Sequence, residues 1–323
     1  AVSTGFHQPT YLCGLRHNTQ DRSNIAVQHM GASGSGEIIL RLTVISGDPF
    51  HPGTFVLPEQ TLLPGEFRQI SGVLRSHGIS LDNGYVRVEK IQGKALYYAY
   101  AVVNDQASSD GSFIAPLPES ASAGSLGYTL PTIVETEAFS SELVVTNWSE
   151  SWKILGFSVL SDGISNPQVA RFVTIRSNEQ LVLPNVVNWL RQRGLPGLGP
   201  RGQVFTGPLY VTTKDGDGSG LFVGARTTTQ VRGNRYGVFY EAVPYGSVPE
   251  TSTWIYGLQQ NSENRSNLGI VNTGEFNEQT SVFRIEIYDG ETGVLASTIE
   301  DITAEARKLI QIDSILEQFT PGI

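Results

Sequence analysis

The chain has 323 residues, which is enough for two or three domains with their own cores. Its formal net charge of −9 argues against a nucleic-acid backbone as partner, and no apolar stretch approaches the length of a membrane span. Cys13 is the only cysteine, which excludes an intrachain disulfide, and we expect a packed side chain there rather than a reactive thiol.

An N-terminal arm and a repeated motif open the chain. Residues 5–9 (GFHQP) are similar to residues 112–116 (SFIAP), and from this we predict that residues 1–10 form a strand-like arm that pairs beyond the first unit.

The segment GLRHNTQDRSNI at residues 14–25 occurs again as GLQQNSENRSNL at residues 257–268. Self-similarity of this kind indicates an array of structural repeats.

Most apolar segments alternate between apolar and polar residues, as half-buried strands do. Residues 37–45 and 282–289 show this pattern at matching places in the first and last copies. Further strands are predicted in the first copy and in a middle copy, at residues 85–89, 96–103, 112–115, 209–213, 221–228 and 236–240. Apolar residues at helical spacing predict one short amphipathic helix per copy, over residues 67–76, 186–193 and 305–319.

These elements divide the chain into three repeats, at residues 1–118, 119–248 and 249–323. The second copy is divergent, with Ser140-Ser141-Glu142-Leu143 where the others read Arg-Ser-Asn-Ile or Arg-Ser-Asn-Leu. Short joints rich in Ser, Gly or Pro, at residues 119–127 and 245–252, suit units on a semi-rigid string.

The third copy follows the first through its predicted helix and then lacks counterparts of the last strands. A sandwich without its final strands leaves sheet edges unpaired. The chain also begins at Ala1 rather than Met. We therefore expect either a window onto a longer array or another chain that supplies the missing strands.

Several further motifs accompany the opening segment. They are LPG at residues 63–65, GYVRV at residues 84–88, NDQASSDGSF at residues 104–113 and ARTTT at residues 225–229. With these motifs, almost the whole chain resembles a family of tandem immunoglobulin-like β-sandwich repeats in large secreted bacterial proteins. The resemblance implies an all-β fold of tandem Ig-like antiparallel β-sandwich domains, export from the cell and no known chemistry.

The opening motif also supplies the candidate interaction residues. Two triplets occupy matching places in the first and last copies: Asn18, Arg22, Asn24, Asn261, Arg265 and Asn267. They could bind a glycan or a partner chain, or they could form a structured turn in which Asn caps backbone groups. We favour the turn, because a repeated scaffold needs the same turn in each copy.

A weak calcium candidate lies at Asp215, Asp217 and Ser219, where oxygens alternate as in a calcium loop. The twelfth position of such a loop is Arg226 instead of a bidentate acid, so we favour a Gly-rich hairpin and expect no cofactor. The five histidines lack metal-ligand spacing. The sequence GLGPRG at residues 197–202 matches a dinucleotide fingerprint but follows a predicted helix, so we reject it.

A run of tyrosines in the first copy offers another candidate surface. Tyr98 and Tyr100 share one face of a predicted strand, and Tyr97 faces the other way. One side could be a sugar platform or a subunit contact, although cross-strand packing is the more common role.

No nucleophile–base pair or carboxylate pair stands out, so we expect that the protein is not an enzyme. We expect a secreted structural protein, at the cell surface or outside the cell, that forms a filament or surface assembly by head-to-tail sandwich contacts and strand complementation. Its partners would be copies of itself or the rest of a longer repeat chain. The alternative is an adhesion or glycan-binding stalk module of a larger secreted protein.

Overall fold

A computed structural model describes residues 5–121, 124–160, 171–248, 251–275 and 277–320. The described chain is nearly all β, with several antiparallel sheets, which confirms the all-β prediction. Within these ranges, no helix has both the length and the apolar character needed to cross a membrane.

The first strand group covers residues 10–118. Its strands are β1 (Thr10–Arg16), β2 (Asp21–His29), β3 (Ile38–Ser46), β4 (Thr54–Val56), β5 (Gln60–Leu62), β6 (Phe67–Ile70), β7 (Asn83–Gln92), β8 (Tyr97–Asp105), β9 (Gly111–Ile114) and β10 (Leu117–Pro118). One sheet has the order β10-β1-β7-β3-β4, with β5 also on β3, and the other has the order β6-β2-β8-β9. Buried apolar side chains of both sheets form one core, so the group is sandwich-like.

The second strand group covers residues 127–244. Its elements are β11 (Gly127–Glu135), β12 (Phe139–Asn147), β13 (Lys153–Ser158), β14 (Arg171–Ile175), β15 (Gln180–Leu183), α1 (Val186–Gln192), β16 (Phe205–Thr213), β17 (Leu221–Val231), β18 (Asn234–Glu241) and β19 (Val243–Pro244). The strand order is β14-β13-β16-β11-β12-β17-β18, with β15 on β12 and β19 on β11. Only Glu135 and Ser140 pair between β11 and β12, so the sheet folds over a second core at this hairpin.

The third strand group is smaller. Its elements are β20 (Leu268–Val271), β21 (Ser281–Tyr288), β22 (Leu295–Ala304), β23 (Leu309–Ile312) and α2 (Ile315–Phe319). β20 pairs with β23 and β21 pairs with β22, around a small core that contains Leu268, Ile287, Ile299 and Ile315. Within residues 251–275 and 277–320, no strand takes the place that β7, β8 and β9 have in the first group.

Alternation explains the strands that the sequence predicts. Along β3, every second side chain is fully buried and the ones between are half-buried. β8 shows the same period, which places Tyr97 in the core and Tyr98 and Tyr100 on the outer face of its sheet. Each predicted strand segment coincides with a strand of the structure and extends past it by at most one residue.

Two of the three helix predictions are wrong. α1 confirms the prediction over residues 186–193, and the Asn185 Oδ1 caps it by accepting from the Asn188 N–H at 3.0 Å. Residues 67–76 instead form β6 and a turn, because Gly72 has a φ of 58° that a right-handed helix cannot continue through. Residues 305–319 split into β23 and the short α2, separated by Ser314 at a φ of 44°.

The N-terminal arm pairs within the first group. The backbone N–H of Phe6 donates to the Tyr97 carbonyl at 2.6 Å, and the Tyr97 N–H donates back at 3.2 Å. The described part of the arm therefore adds to β8 instead of reaching beyond the first unit. Residues 1–4 of the predicted arm lie outside the described residues.

The first and second groups also touch directly. Tyr11, Cys13 and Tyr85 of the first group form one buried cluster with Val144 and Phe222 of the second. The sequence suggested units on a string, whereas these two groups share an apolar contact of their own.

Candidate functional site

The opening motif folds into the same turn in both matching copies. The Asn18 Oδ1 accepts from the backbone N–H groups of Gln20 and Asp21, both at 2.8 Å. In the last copy, the Asn261 Oδ1 accepts from Glu263 at 2.9 Å and Asn264 at 2.7 Å. The two asparagines thus hold Asx turns that lead towards β2 in the first group and β20 in the third.

The second asparagine of each triplet fixes a more distant segment. The Asn24 Oδ1 accepts from the Gly72 N–H at 2.9 Å, and the Asn267 Oδ1 accepts from the Ser314 N–H, also at 2.9 Å. Gly72 and Ser314 both have a positive φ and interrupt the predicted helices, so Asn24 and Asn267 tie equivalent bends to equivalent strands.

The two arginines of the triplets lie on the surface. The Arg22 Nη2 contacts the Ser109 Oγ at 3.5 Å, and Arg265 is exposed. The two triplets belong to different strand groups, and the structure does not bring them together in one site.

The junction between the first and second groups has an aromatic centre. Tyr11 of β1 stacks on Trp148, which follows β12, with 4.5 Å between the ring centroids. Cys13 and Phe222 are buried beside them, at 1% and 3% exposure. Burial of this apolar surface between the groups favours one fixed arrangement of the two.

A buried ionic network flanks this centre. The Asp21 Oδ1 accepts from the Arg226 Nη1 at 2.9 Å, and Arg235 bonds both Asp21 and Asp105. Asp21 and Arg226 are each 2% exposed. Burial opposes the charged form of Asp105, yet hydrogen bonds from Ser108 and Arg235 lower its pKa to about 2. Asp105 is therefore ionised at neutral pH, and the network links β2 and β8 to β17 and β18.

Gln180 supplies the main neutral link across the junction. This buried side chain accepts from the Gly14 N–H at 2.7 Å and from the Thr146 hydroxyl at 2.9 Å. Its Nε2 donates to the carbonyls of Leu15 at 3.2 Å and Gly84 at 3.0 Å. One residue of β15 therefore satisfies backbone groups of both β1 and β7.

The second group contacts the third through the position that Tyr11 has in the first. Thr129 pairs with β19 as Tyr11 pairs with β10, so the two residues are equivalent. The Thr129 hydroxyl donates to the Glu275 Oε1 at 3.0 Å, and Glu275 lies in the loop after β20, two residues beyond the position that matches Trp148.

A second pair of positions also occurs in both junctions. Asn178 and Arg307 each stand two residues before a strand, β15 or β23, at a φ of 61° and 63°. The Tyr85 hydroxyl donates to the Asn178 Oδ1 at 3.0 Å in the first junction. In the second junction, Arg307 lies over the Tyr210 ring at 5.3 Å. These tyrosines lie on the equivalent strands β7 and β16, but Tyr210 takes the place of Arg87, two residues beyond that of Tyr85, so the two junctions use the same strands with different contact positions.

We call the side of a group that contacts the next group its tail face, and the side that contacts the preceding group its head face. In the first junction, the tail face consists of Tyr11, Cys13, Ile45 and Tyr85, and the head face consists of Val144, Trp148, Gln180, Phe222 and Phe239.

A polar cleft of about 450 Å³ lies beside the first junction. Asn18 and Gln20 line it, together with Arg16, whose guanidinium is paired with Glu142. Glu142 belongs to the divergent segment of the second copy, and it stands where the other copies have asparagine. The cleft brings one predicted interaction residue, Asn18, next to charged side chains that the sequence did not single out.

Glu241 makes the first junction sensitive to pH. Burial raises its pKa to about 7, although the Ala115 N–H donates to its Oε1 at 3.1 Å and opposes this shift. A raised acid pKa means that the folded state binds the proton more tightly than the unfolded state. The resulting loss of stability is absent below pH 4.5, develops as the pH rises to about 7 and is complete above that.

We expect the melting temperature of the Glu241→Gln variant, measured relative to wild type, to be higher at about pH 8 than at about pH 5. Thermal unfolding followed by circular dichroism at both pH values measures this difference. A difference between variant and wild type that does not change with pH contradicts a buried carboxyl at this junction.

The reactivity of the Cys13 thiol shows whether the first junction is closed. The thiol is fully enclosed, and burial raises its pKa far above the ordinary value, so the reactive thiolate is suppressed. We expect no labelling by a water-soluble disulfide reagent in the folded protein and full labelling in denaturant. Rapid labelling under native conditions would show that the two groups separate readily.

In the candidate calcium loop, the positively charged side chain of Lys153 bonds to Asp217. The Lys153 Nζ donates to the Asp217 carbonyl at 2.8 Å and to its Oδ2 at 3.0 Å. Hydrogen bonds from Ser219 and then Lys153 lower the pKa of Asp217 to about 2. The Asp215 Oδ1 accepts from the Asp217 N–H at 3.2 Å, which is the Asx geometry of a hairpin loop.

Among the described residues, no three His, Cys, Asp or Glu side chains form a group that could hold a metal ion. His29 is buried and lies close to the Gly36 carbonyl through its Nε2, at 2.9 Å. No protein-family model and no curated protein sequence matches the chain.

Proposed function

We propose that the chain is a non-catalytic structural protein whose Ig-like β-sandwich repeats join head to tail in a filament or surface assembly. Each strand group corresponds to one repeat, at residues 1–118, 119–248 and 249–323. The extracellular placement rests on the resemblance of the motifs to secreted repeat proteins.

The observation that carries this proposal is the recurrence of one contact in both junctions. Tyr11 and Thr129 occupy matching positions, and each contacts the loop after the equivalent strand of the next group, at Trp148 after β12 and at Glu275 after β20, although the chemistry differs. A contact that uses different surfaces on its two sides leaves one of each surface free at the ends, so it repeats into an open chain unless its rotation closes a ring. The strand groups of the chain are therefore joined by a type of contact that suits a linear polymer.

The third group supports the proposal through a segment that forms no strand. Residues 252–260 form no strand, whereas the matching β1 is paired with β7 and β10. Gln259 bonds Ser266 through its N–H and carbonyl, and the backbone groups before it that have no strand partner among the described residues are available to a strand from another chain. Strand complementation is thus a second means of joining units.

Chemical crosslinking tests the proposal. Protein at increasing concentration is treated with an amine crosslinker and separated on a denaturing gel. We expect a regular ladder of dimers, trimers and higher species that extends as concentration rises. A single monomer band at all concentrations, or a ladder that stops at one closed oligomer, contradicts a head-to-tail polymer.

The cleft beside the first junction favours one alternative, an adhesion or glycan-binding module. Asn18, Gln20 and Asn83 present amides along its wall, next to charged Arg16 and Asp21, and amides can bond sugar hydroxyls. A glycan array with wild type and Asn18→Ala measures this directly. Binding that is lost in the variant would support the alternative, and an array without binding would count against it.

A further inference from the structure

The third group exposes a tail face and the first group exposes a head face. In the first junction, surfaces of these two kinds are buried against each other. On the third group, Trp254, Tyr256 and Tyr288 occupy the tail-face positions of Tyr11, Cys13 and Ile45. Trp254 is 62% exposed and Tyr256 is 76% exposed.

Their counterparts in the first group are covered. Tyr11 is 6% exposed and Cys13 is 1% exposed, because the second group packs on them. Trp254 stacks on Tyr256 and lies 5.5 Å from the Tyr288 ring, measured between centroids. These three aromatic side chains form a continuous exposed patch, and patches of this kind mark interaction surfaces.

The first group shows the complementary situation. β2 pairs Gln28 with Tyr98, and β12 pairs Thr146 with Phe222, which gives Tyr98 the place of Phe222 on the head face. By the same register, Phe67, the partner of Gln28 in β6, takes the place of Gln180, the partner of Thr146 in β15.

Met30 follows β2 as Trp148 follows β12, and Phe113 takes the place of Phe239. Phe67 is 50% exposed, Met30 44% and Phe113 52%. Phe222, which lies inside the first junction, is 3% exposed. The head face of the first group is therefore apolar and aromatic. Phe6 of the arm stacks on Tyr98, whereas Phe67, Met30 and Phe113 stay exposed.

We propose that the open tail face of the third group binds the open head face of the first group of a second copy of this chain. This inference rests on the proposed function and names the surfaces and the partner for it. A second copy is the occupant because the chain itself presents the matching face, at positions equivalent to those joined in its first junction. Aromatic side chains at the centre of an interface supply most of its binding energy.

Two variants and their mixture test the proposal by sedimentation velocity. The tail variant is Trp254→Ala with Tyr256→Ala, and the head variant is Met30→Ala with Phe113→Ala. All four side chains are more than two-fifths exposed, so we expect the variants to keep the wild-type fold. The control is Trp152→Ala with Phe172→Ala, which removes two exposed aromatics that lie on neither face.

We expect wild type and control to associate alike, and each face variant to lose roughly 30-fold or more in association constant. An equal mixture of the two face variants should recover association but stop at dimers, since one intact head and one intact tail remain per pair. Circular dichroism checks that each variant is folded, and Phe113→Ala alone and Tyr256→Ala alone serve as milder versions.

The outcomes separate the two proposals. If wild type assembles and both face variants assemble equally well, the surfaces named here are wrong and the structural function stands. If the mixture fails to form dimers, the contact is not head to tail. If wild type stays monomeric at all concentrations, the proposed function fails as well.

Discussion

Replacing Asp21 with alanine is expected to destabilise the protein by about 3–5 kcal/mol, the range for breaking one side of a buried ion pair. Asp21 accepts from both Arg226 and Arg235. Without it, Arg226 stays enclosed, and its Nε and Nη2 already have no partner among the described residues. An uncompensated buried charge is the reason for the large effect.

Urea unfolding of wild type and variant measures this difference in free energy. The matched control is Arg41→Ala, because Arg41 and Glu59 form an exposed pair at 3.5 Å and should change stability by less than about 1 kcal/mol. The double variant Asp21→Ala with Arg226→Met should be more stable than Asp21→Ala alone, since the unpaired charge is also removed. Equal effects of Asp21→Ala and Arg41→Ala would show that the junction is not closed in solution.

The Gln180→Ala substitution is expected to cost about 3 kcal/mol or more. It leaves the N–H of Gly14 and the carbonyls of Leu15 and Gly84 without their side-chain partner. Each buried group left unsatisfied costs about 1–3 kcal/mol, although relaxation at the junction recovers part of the sum.

Gln69→Ala is the matched control for this change. Gln69 is exposed, and its Nε2 donates to the Ser71 Oγ at 3.1 Å. We expect an effect below about 0.5 kcal/mol, as for other surface substitutions. Thermal unfolding should also resolve two transitions in Gln180→Ala if the first two groups separate before they unfold. If Gln180→Ala is as stable as wild type, the Gln180 side chain does not stabilise the junction.

Local sequence patterns predict the strands well. The alternation of residues 37–45 needs only the two-residue period of a strand next to a core, and β3 has that burial. The same reasoning fails at residues 67–76, where apolar spacing fits a helix but Gly72 bends the backbone. A glycine inside a helical pattern was the signal against that prediction.

The junctions could not be derived from local patterns. Asp21 and Arg226 are far apart in the chain, and no spacing rule joins them. Two signals were present: Arg226 is a charge within an apolar strand, and Glu142 replaces an asparagine in the divergent copy. Both residues lie at the junction, so the divergence of the second copy reflects its position between two neighbours.

Electron microscopy of the concentrated protein tests the head-to-tail account most directly. The account predicts unbranched filaments one chain wide, in which all chains point the same way and the axial repeat contains three strand groups. Closed rings, two-fold symmetric dimers or separate monomers at every concentration would contradict it, because an open contact between different faces cannot produce them as the only species.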